Sequence, residues 1–113
     1  MKRTGPTNIY LRKLIRELKK LKKPFYRKLA EELGKPRRKR ICVNISKINK
    51  LTRPGERVVI PGKVLGYGFL DHPVKVFAWR FSKKAIEKIK EAGGETLELN
   101  ELIKEKTYPK IIK

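Results

Sequence analysis

The segment VKVFAWRF, residues 74–81, restricts the fold more than any other stretch of the chain. Successive side chains of a strand point to opposite faces, so Val74, Val76 and Ala78 share one face and Phe77, Trp79 and Phe81 the other. A strand that is apolar on both faces must be covered on both, as the inner strands of a parallel α/β sheet are. The residues that follow supply the connection. Ser82 stands where a helix N-cap belongs, Ala85, Ile86 and Ile89 give the helix an inner stripe, and Gly93-Gly94 ends it. Thr96, Leu97 and Leu99 then resume an extended chain, so a strand-helix-strand unit with parallel strands is expected.

Upstream, Leu11, Leu14, Ile15, Leu18 and Leu21 recur at the spacing of an amphipathic helix, with Thr7 or Asn8 placed to cap it. A second short helix follows Pro24, apolar at Phe25, Leu29 and Leu33, and ends where Gly34 can turn left-handed and Pro36 forbids continuation. Ile41, Val43 and Ile45 alternate as a strand does, and Ser46 can cap a short helix carrying Ile48 and Leu51. Pro54-Gly55 and Pro61-Gly62 each suit a type II turn and frame a strand over residues 56–60. Residues 61–73 then read as a long loop, a length that points to function or disorder. A last helix through Leu102 and Ile103 and a short strand at Ile111 and Ile112 complete the expected elements. The 113 residues suit one α/β domain, 1–113, with a basic helical region over 1–40 and an α/β core over 41–113.

The charge of this chain decides its partner class. Lys and Arg number 31 against 11 Asp and Glu, a net charge of +20 that repels itself on folding unless a polyanion neutralises it. Residues 1–63 hold 21 basic and 4 acidic side chains, whereas residues 64–113 hold 10 and 7. Nucleic acid is the leading polyanion, because each phosphate contact releases condensed counterions without base readout. An anionic membrane is the weaker rival, since the first helix lacks Trp and its apolar stripe is needed to close a small core. The longest apolar run, residues 76–79, is far short of a bilayer span, and a soluble, cytoplasmic protein is expected.

On the first helix only Glu17 offsets Arg12, Lys13, Arg16, Lys19, Lys20, Lys22 and Lys23, which favours phosphate contact over a merely solvated face. The run PRRKR, residues 36–40, places Arg37, Arg38, Lys39 and Arg40 together, and guanidinium forks suit bidentate phosphate contacts. Small-molecule phosphate loops fail in VVIPGKVLGYG, residues 58–68. A triphosphate-binding loop needs glycine and hydroxyl where Arg57 and Val64 stand, and a dinucleotide loop needs glycine where Asp71 stands.

Catalytic inventory is thin. His72 beside Asp71 reads as a solvated loop histidine rather than a general base, and Cys42 as a small buried hydrophobe rather than a nucleophile. One Cys and one His cannot complete a Cys/His zinc site. Trp79 reads as core, while Tyr67 between two glycines is free to do something else.

The order K-P-R-R at 35–38, V-N at 43–44 and V-V-I-P-G-K-V-L-G-Y-G at 58–68 resembles the archaeal and eukaryotic large-subunit ribosomal protein family L-eighteen-e, over nearly the whole chain. That family is a fold relative of the universal ribosomal protein L-fifteen. The resemblance implies an irregular superhelix of strand-strand-helix turns behind N-terminal helices, and the short ends look archaeal. It implies a structural constituent of the large subunit, bound to large-subunit rRNA and to neighbouring ribosomal proteins, with no enzyme activity, cofactor, metal or small-molecule substrate. The expected RNA contacts are Arg12, Lys13, Arg16, Lys19, Lys20, Lys23, Lys35, Arg37, Arg38, Lys39, Arg40, Lys63, Gly66, Tyr67 and Gly68. Here the glycines let backbone approach a sugar-phosphate ribbon and Tyr67 offers a stacking face. Gly62 is as readily explained by a tight turn. A sequence-independent DNA-binding protein of the chromatin type fits the charge alone equally well.

Overall fold

Leu11, Leu14 and Leu18 fall on one side of a 12-residue helix, α1 (Ile9–Lys20), and all three are buried. The computed structural model describes residues 9–35, 41–105 and 109–113, and packing divides the chain into two units, Met1–Ile41 and Cys42–Lys113. In the first unit the chain turns after α1 with Lys22 in the left-handed region at φ 54°. Helix α2 (Pro24–Leu33) begins on proline, whose missing N–H is no loss in a first turn, and packs against α1. Its buried stripe is Tyr26, Leu29, Ala30 and Leu33, at helical spacing, so Phe25 is only half-buried and meets Tyr26 edge to face. Gly34 does not turn left-handed. At φ −79° it continues the helical geometry, its N–H bonding to Ala30 O at 2.9 Å. Thr7, Asn8 and Pro36 lie outside the described residues.

The second unit is a mostly parallel sheet with helices at its crossings: β1 (Ile41–Asn44), α3 (Ile45–Leu51), β2 (Arg57–Leu65), β3 (Lys75–Phe81), α4 (Lys83–Glu91), β4 (Glu95–Glu98), α5 (Leu99–Glu105) and β5 (Lys110–Ile111). The strand order is β1-β2-β3-β4, with β5 also on β2. β3 is the inner strand its sequence demands, parallel to β2 on one side and to β4 on the other. Val76, Phe77 and Ala78 are fully buried, while Trp79 and Phe81, near its carboxyl end, are half-buried. The crossover is as expected: the Ser82 hydroxyl accepts from the Ala85 N–H at 3.1 Å, Ala85 and Ile89 face inward, and Gly93 follows the helix at φ 87°.

Three local expectations are corrected. Ile45 opens α3 instead of ending a strand, so Asn44 and not Ser46 occupies the cap position, and Leu99 likewise opens α5. Cys42 is exposed, because Val43 takes the inward place on β1 and the alternation turns Cys42 out. Pro61-Gly62 is no turn. β2 runs through it to Leu65, with both residues buried, and the register slips there: Ile60 pairs Ala78 and Lys63 pairs Arg80, so β2 carries one extra residue. A bulge leaves an unpaired position in which proline's missing N–H breaks no ladder bond. By contrast Pro54-Gly55 does turn, with Gly55 at φ 80° and the Glu56 N–H bonded to Arg53 O at 3.1 Å.

Candidate nucleic-acid interface

Immediately after β2 the chain runs Gly66-Tyr67-Gly68-Phe69-Leu70, and its backbone is fixed from two sides. From α4, Lys88 Nζ donates to the carbonyl oxygens of Gly66 and Gly68, each at 2.6 Å. From α3, the Ser46 N–H donates to Tyr67 O at 3.2 Å. Side chains are excluded at both glycines: a Cβ on Gly66 would lie 2.4 Å from Lys84 Cβ, and one on Gly68 2.4 Å from Ser46 Cβ. Gly68 also has φ 104°, a conformation L side chains rarely adopt. The result is a loop whose main chain lies against two helices while Tyr67 and Phe69 stand out, 76% and 69% exposed. Beside it is an open depression of about 560 Å³ lined by Gly66, Tyr67, Gly68, Ser82, Lys83, Lys84 and Lys88.

Charge on this unit is sorted by strand end. At the amino ends of β2 and β3, Arg57 and Lys75 are neutralised by one carboxylate, Glu105, at 3.6 and 3.1 Å. At the carboxyl ends, Lys63 and Arg80 are register neighbours and both exposed, and Lys83 and Lys84 open α4 beyond them. Among the described residues none of these four is in an ion pair, although Arg80 lies over the Trp79 ring at 5.8 Å. Parallel sheets present ligands at the carboxyl ends of their strands, where loops and helix N-termini converge. Phe69, Arg80, Lys83 and Lys84 were not among the residues expected from sequence. The exposed Phe69, two residues beyond Tyr67 in the same loop, was the signal that was readable.

The first unit holds the other expected contacts. Arg12, Lys13, Arg16, Lys19 and Lys20 are exposed on α1, and Lys23 is exposed at the cap of α2. Lys35 is tied to Glu32, Nζ to Oε2 at 2.9 Å. Arg37, Arg38, Lys39 and Arg40 lie outside the described residues.

The acid-imidazole pair differs from expectation. His72 is 9% exposed and held by both nitrogens, Nδ1 at 2.8 Å from Asp71 Oδ1 and Nε2 at 2.7 Å from Thr52 Oγ1. The Asp71 N–H bonds to Asn49 Oδ1 at 3.1 Å, which fixes the loop so that neighbouring side chains do meet. Thr52 in turn donates to Ile48 O at 2.7 Å, so the cluster ends in backbone at the C-terminus of α3 and not in a nucleophile. Among the described residues no three of His, Cys, Asp and Glu gather to hold a metal ion, and no helix is long and apolar enough to cross a membrane.

These features define a class: a small, strongly basic α/β protein that offers fixed loop backbone, exposed aromatics and uncompensated cations. Comparison with known sequences makes the class specific. The family model that groups ribosomal proteins 50S-L15 and 50S-L18e with their 60S counterpart matches residues 27–97. A large ribosomal subunit protein eL18 from Sulfurisphaera tokodaii is 56% identical over 103 residues, covering 91% of this chain and 87% of its own. The eL18 protein of Methanopyrus kandleri is 50% identical, covering 90% and 87%, and that of Sulfolobus acidocaldarius 54%, covering 89% and 86%. The chain belongs to this family of ribosomal proteins, structural constituents rather than enzymes.

Proposed function

We propose that the chain is a constituent of the large ribosomal subunit in the cytoplasm, and that it binds and stabilises folded large-subunit rRNA beside neighbouring ribosomal proteins. The observation that carries this reading is the set of exposed, uncompensated cations on α1, in a chain of net charge +20 that belongs to a ribosomal family. Lys13, Arg16, Lys19, Lys20 and Lys23 are in no ion pair among the described residues, so their charge is available to phosphates. Arg12, the basic run 37–40, Lys63 and the backbone of Gly66 to Gly68 are proposed to join them. No small molecule and no membrane is required by this reading.

The test is co-sedimentation at moderate salt followed by a salt titration. The protein should travel with large subunits. If α1 and the basic run together neutralise about eight phosphates, log affinity for an rRNA fragment falls against log salt with a slope of roughly −6 to −7. A slope shallower than about −2 would leave most of the charge solvated. Migration with the nucleoid would favour a chromatin-type DNA binder instead.

A further inference from the structure

The loop after β2 has a property that phosphate binding does not require. Two aromatic rings, Tyr67 and Phe69, stand in water on a backbone that two helices hold in place. A loop free to move would fold such rings onto the nearby apolar surface. This one is prevented from doing so by Lys88 on two carbonyls and by glycines jammed against Lys84 and Ser46. Its conformational entropy is therefore already lost before any partner arrives, which favours binding. Around the rings the charge is of one sign. Lys83 and Lys84 line the same depression as Tyr67, and the first turn of α4 directs the positive end of its dipole there.

We infer that this depression seats one unpaired nucleotide of RNA, the base stacked on Tyr67 with Phe69 flanking it, and the phosphate held by Lys83, Lys84 and the start of α4. The assignment rests on the rRNA-binding reading and narrows it from backbone contact to recognition of unstacked bases. Paired bases cannot reach a ring, because they are stacked within the helix, so a bulge or loop nucleotide is the ligand the geometry takes. Stacking of this kind tolerates any base, since each has a π-face. A protein partner would need acidic side chains to meet the lysines and would leave the π-faces of the rings without a specific role. The sequence alone hid the site, because its lysines lie 17 positions beyond its aromatics, Tyr67 to Lys84, and meet them only through the parallel pairing of β2 and β3.

The experiment compares the full chain on two RNA hairpins, identical except that one carries a single bulged adenosine, and on a large-subunit rRNA fragment. The wild type should prefer the bulged hairpin. Tyr67→Ala with Phe69→Ala should lose at least about tenfold on that hairpin and abolish the preference, with the slope against salt unchanged. Lys83→Ser with Lys84→Ser should keep the preference and lower the magnitude of the slope by about two. Tyr67→Phe with Phe69→Tyr should restore binding, and unfolding followed through Trp79 should be the same for all variants. If the double alanine variant binds both hairpins as the wild type does, the inference is wrong while rRNA binding stands. If the wild type fails on the rRNA fragment itself, the broader reading is what fails. If the double variant binds every RNA normally yet does not enter reconstituted subunits, the rings dock a protein and the inference is overturned.

Discussion

His72 shows how a single residue can satisfy both of its polar atoms without serving catalysis. Enclosed between Thr52 and Asp71, it ties the end of α3 to the loop that leads into β3. Removing Thr52 Oγ1 leaves a buried ring nitrogen with no acceptor or donor, and an unmatched buried polar group costs roughly 1–3 kcal/mol. Thr52→Val is accordingly expected to lower stability by that amount in chemical unfolding, with rRNA affinity unchanged once the protein is folded. Asp71→Asn keeps a hydrogen-bonding oxygen beside Nδ1, so its effect should be smaller. From sequence, His72 and Asp71 were visible as neighbours, but Thr52 lies 20 positions away from the ring it holds and nothing local announces it.

At the scale of elements, α4 does two jobs. Its apolar stripe, Ala85 and Ile89, covers the sheet, and its half-buried Lys88 holds the glycine loop. Lys88→Met keeps the straight aliphatic stem and removes the ammonium that bridges Gly66 O and Gly68 O. The variant should remain folded, with a loss of about 1–3 kcal/mol, because bonds from a charged donor are worth more than neutral ones. Its diagnostic readout is hydrogen exchange: the Ser46 amide, which bonds Tyr67 O, should exchange faster as the loop is released, while amides within β3 stay protected. Equal protection at Ser46 in both proteins would mean that the glycine contacts hold the loop alone. The α4 helix itself was legible, cap included, since Ser82 and the apolar stripe are local signals. The bulge in β2 was not, since Pro61-Gly62 has the local chemistry of a turn and becomes strand only because β3 pairs with β2 on both sides of it.

For the molecule as a whole, the net charge of +20 sets the conditions under which it is stable. Self-repulsion among exposed cations weakens as salt shortens the screening length, from about 30 Å at 0.01 M to about 10 Å at 0.1 M. The free protein should therefore unfold at a higher temperature as salt is raised over that range, while its rRNA affinity falls, so the two titrations run in opposite directions. Replacing Arg37, Arg38, Lys39 and Arg40 together by Ser should act the same way, cutting rRNA affinity strongly and leaving the unfolding midpoint unchanged or higher. Loss of folding with residual affinity intact would falsify that role for the basic run. What the sequence by itself determined is what short-range periodicity and net charge can encode: the helices α1, α2 and α4, the inner strand β3, its parallel partner β4 and a polyanion as ligand. What only the tertiary structure decided is everything that depends on long-range pairing. Arg57 and Lys75 are neutralised by Glu105 at one end of the sheet, whereas Lys63, Arg80, Lys83 and Lys84 are left uncompensated at the other. Composition counts those cations alike, but only the strand register sets which of them meets a carboxylate and which meets water beside Tyr67 and Phe69.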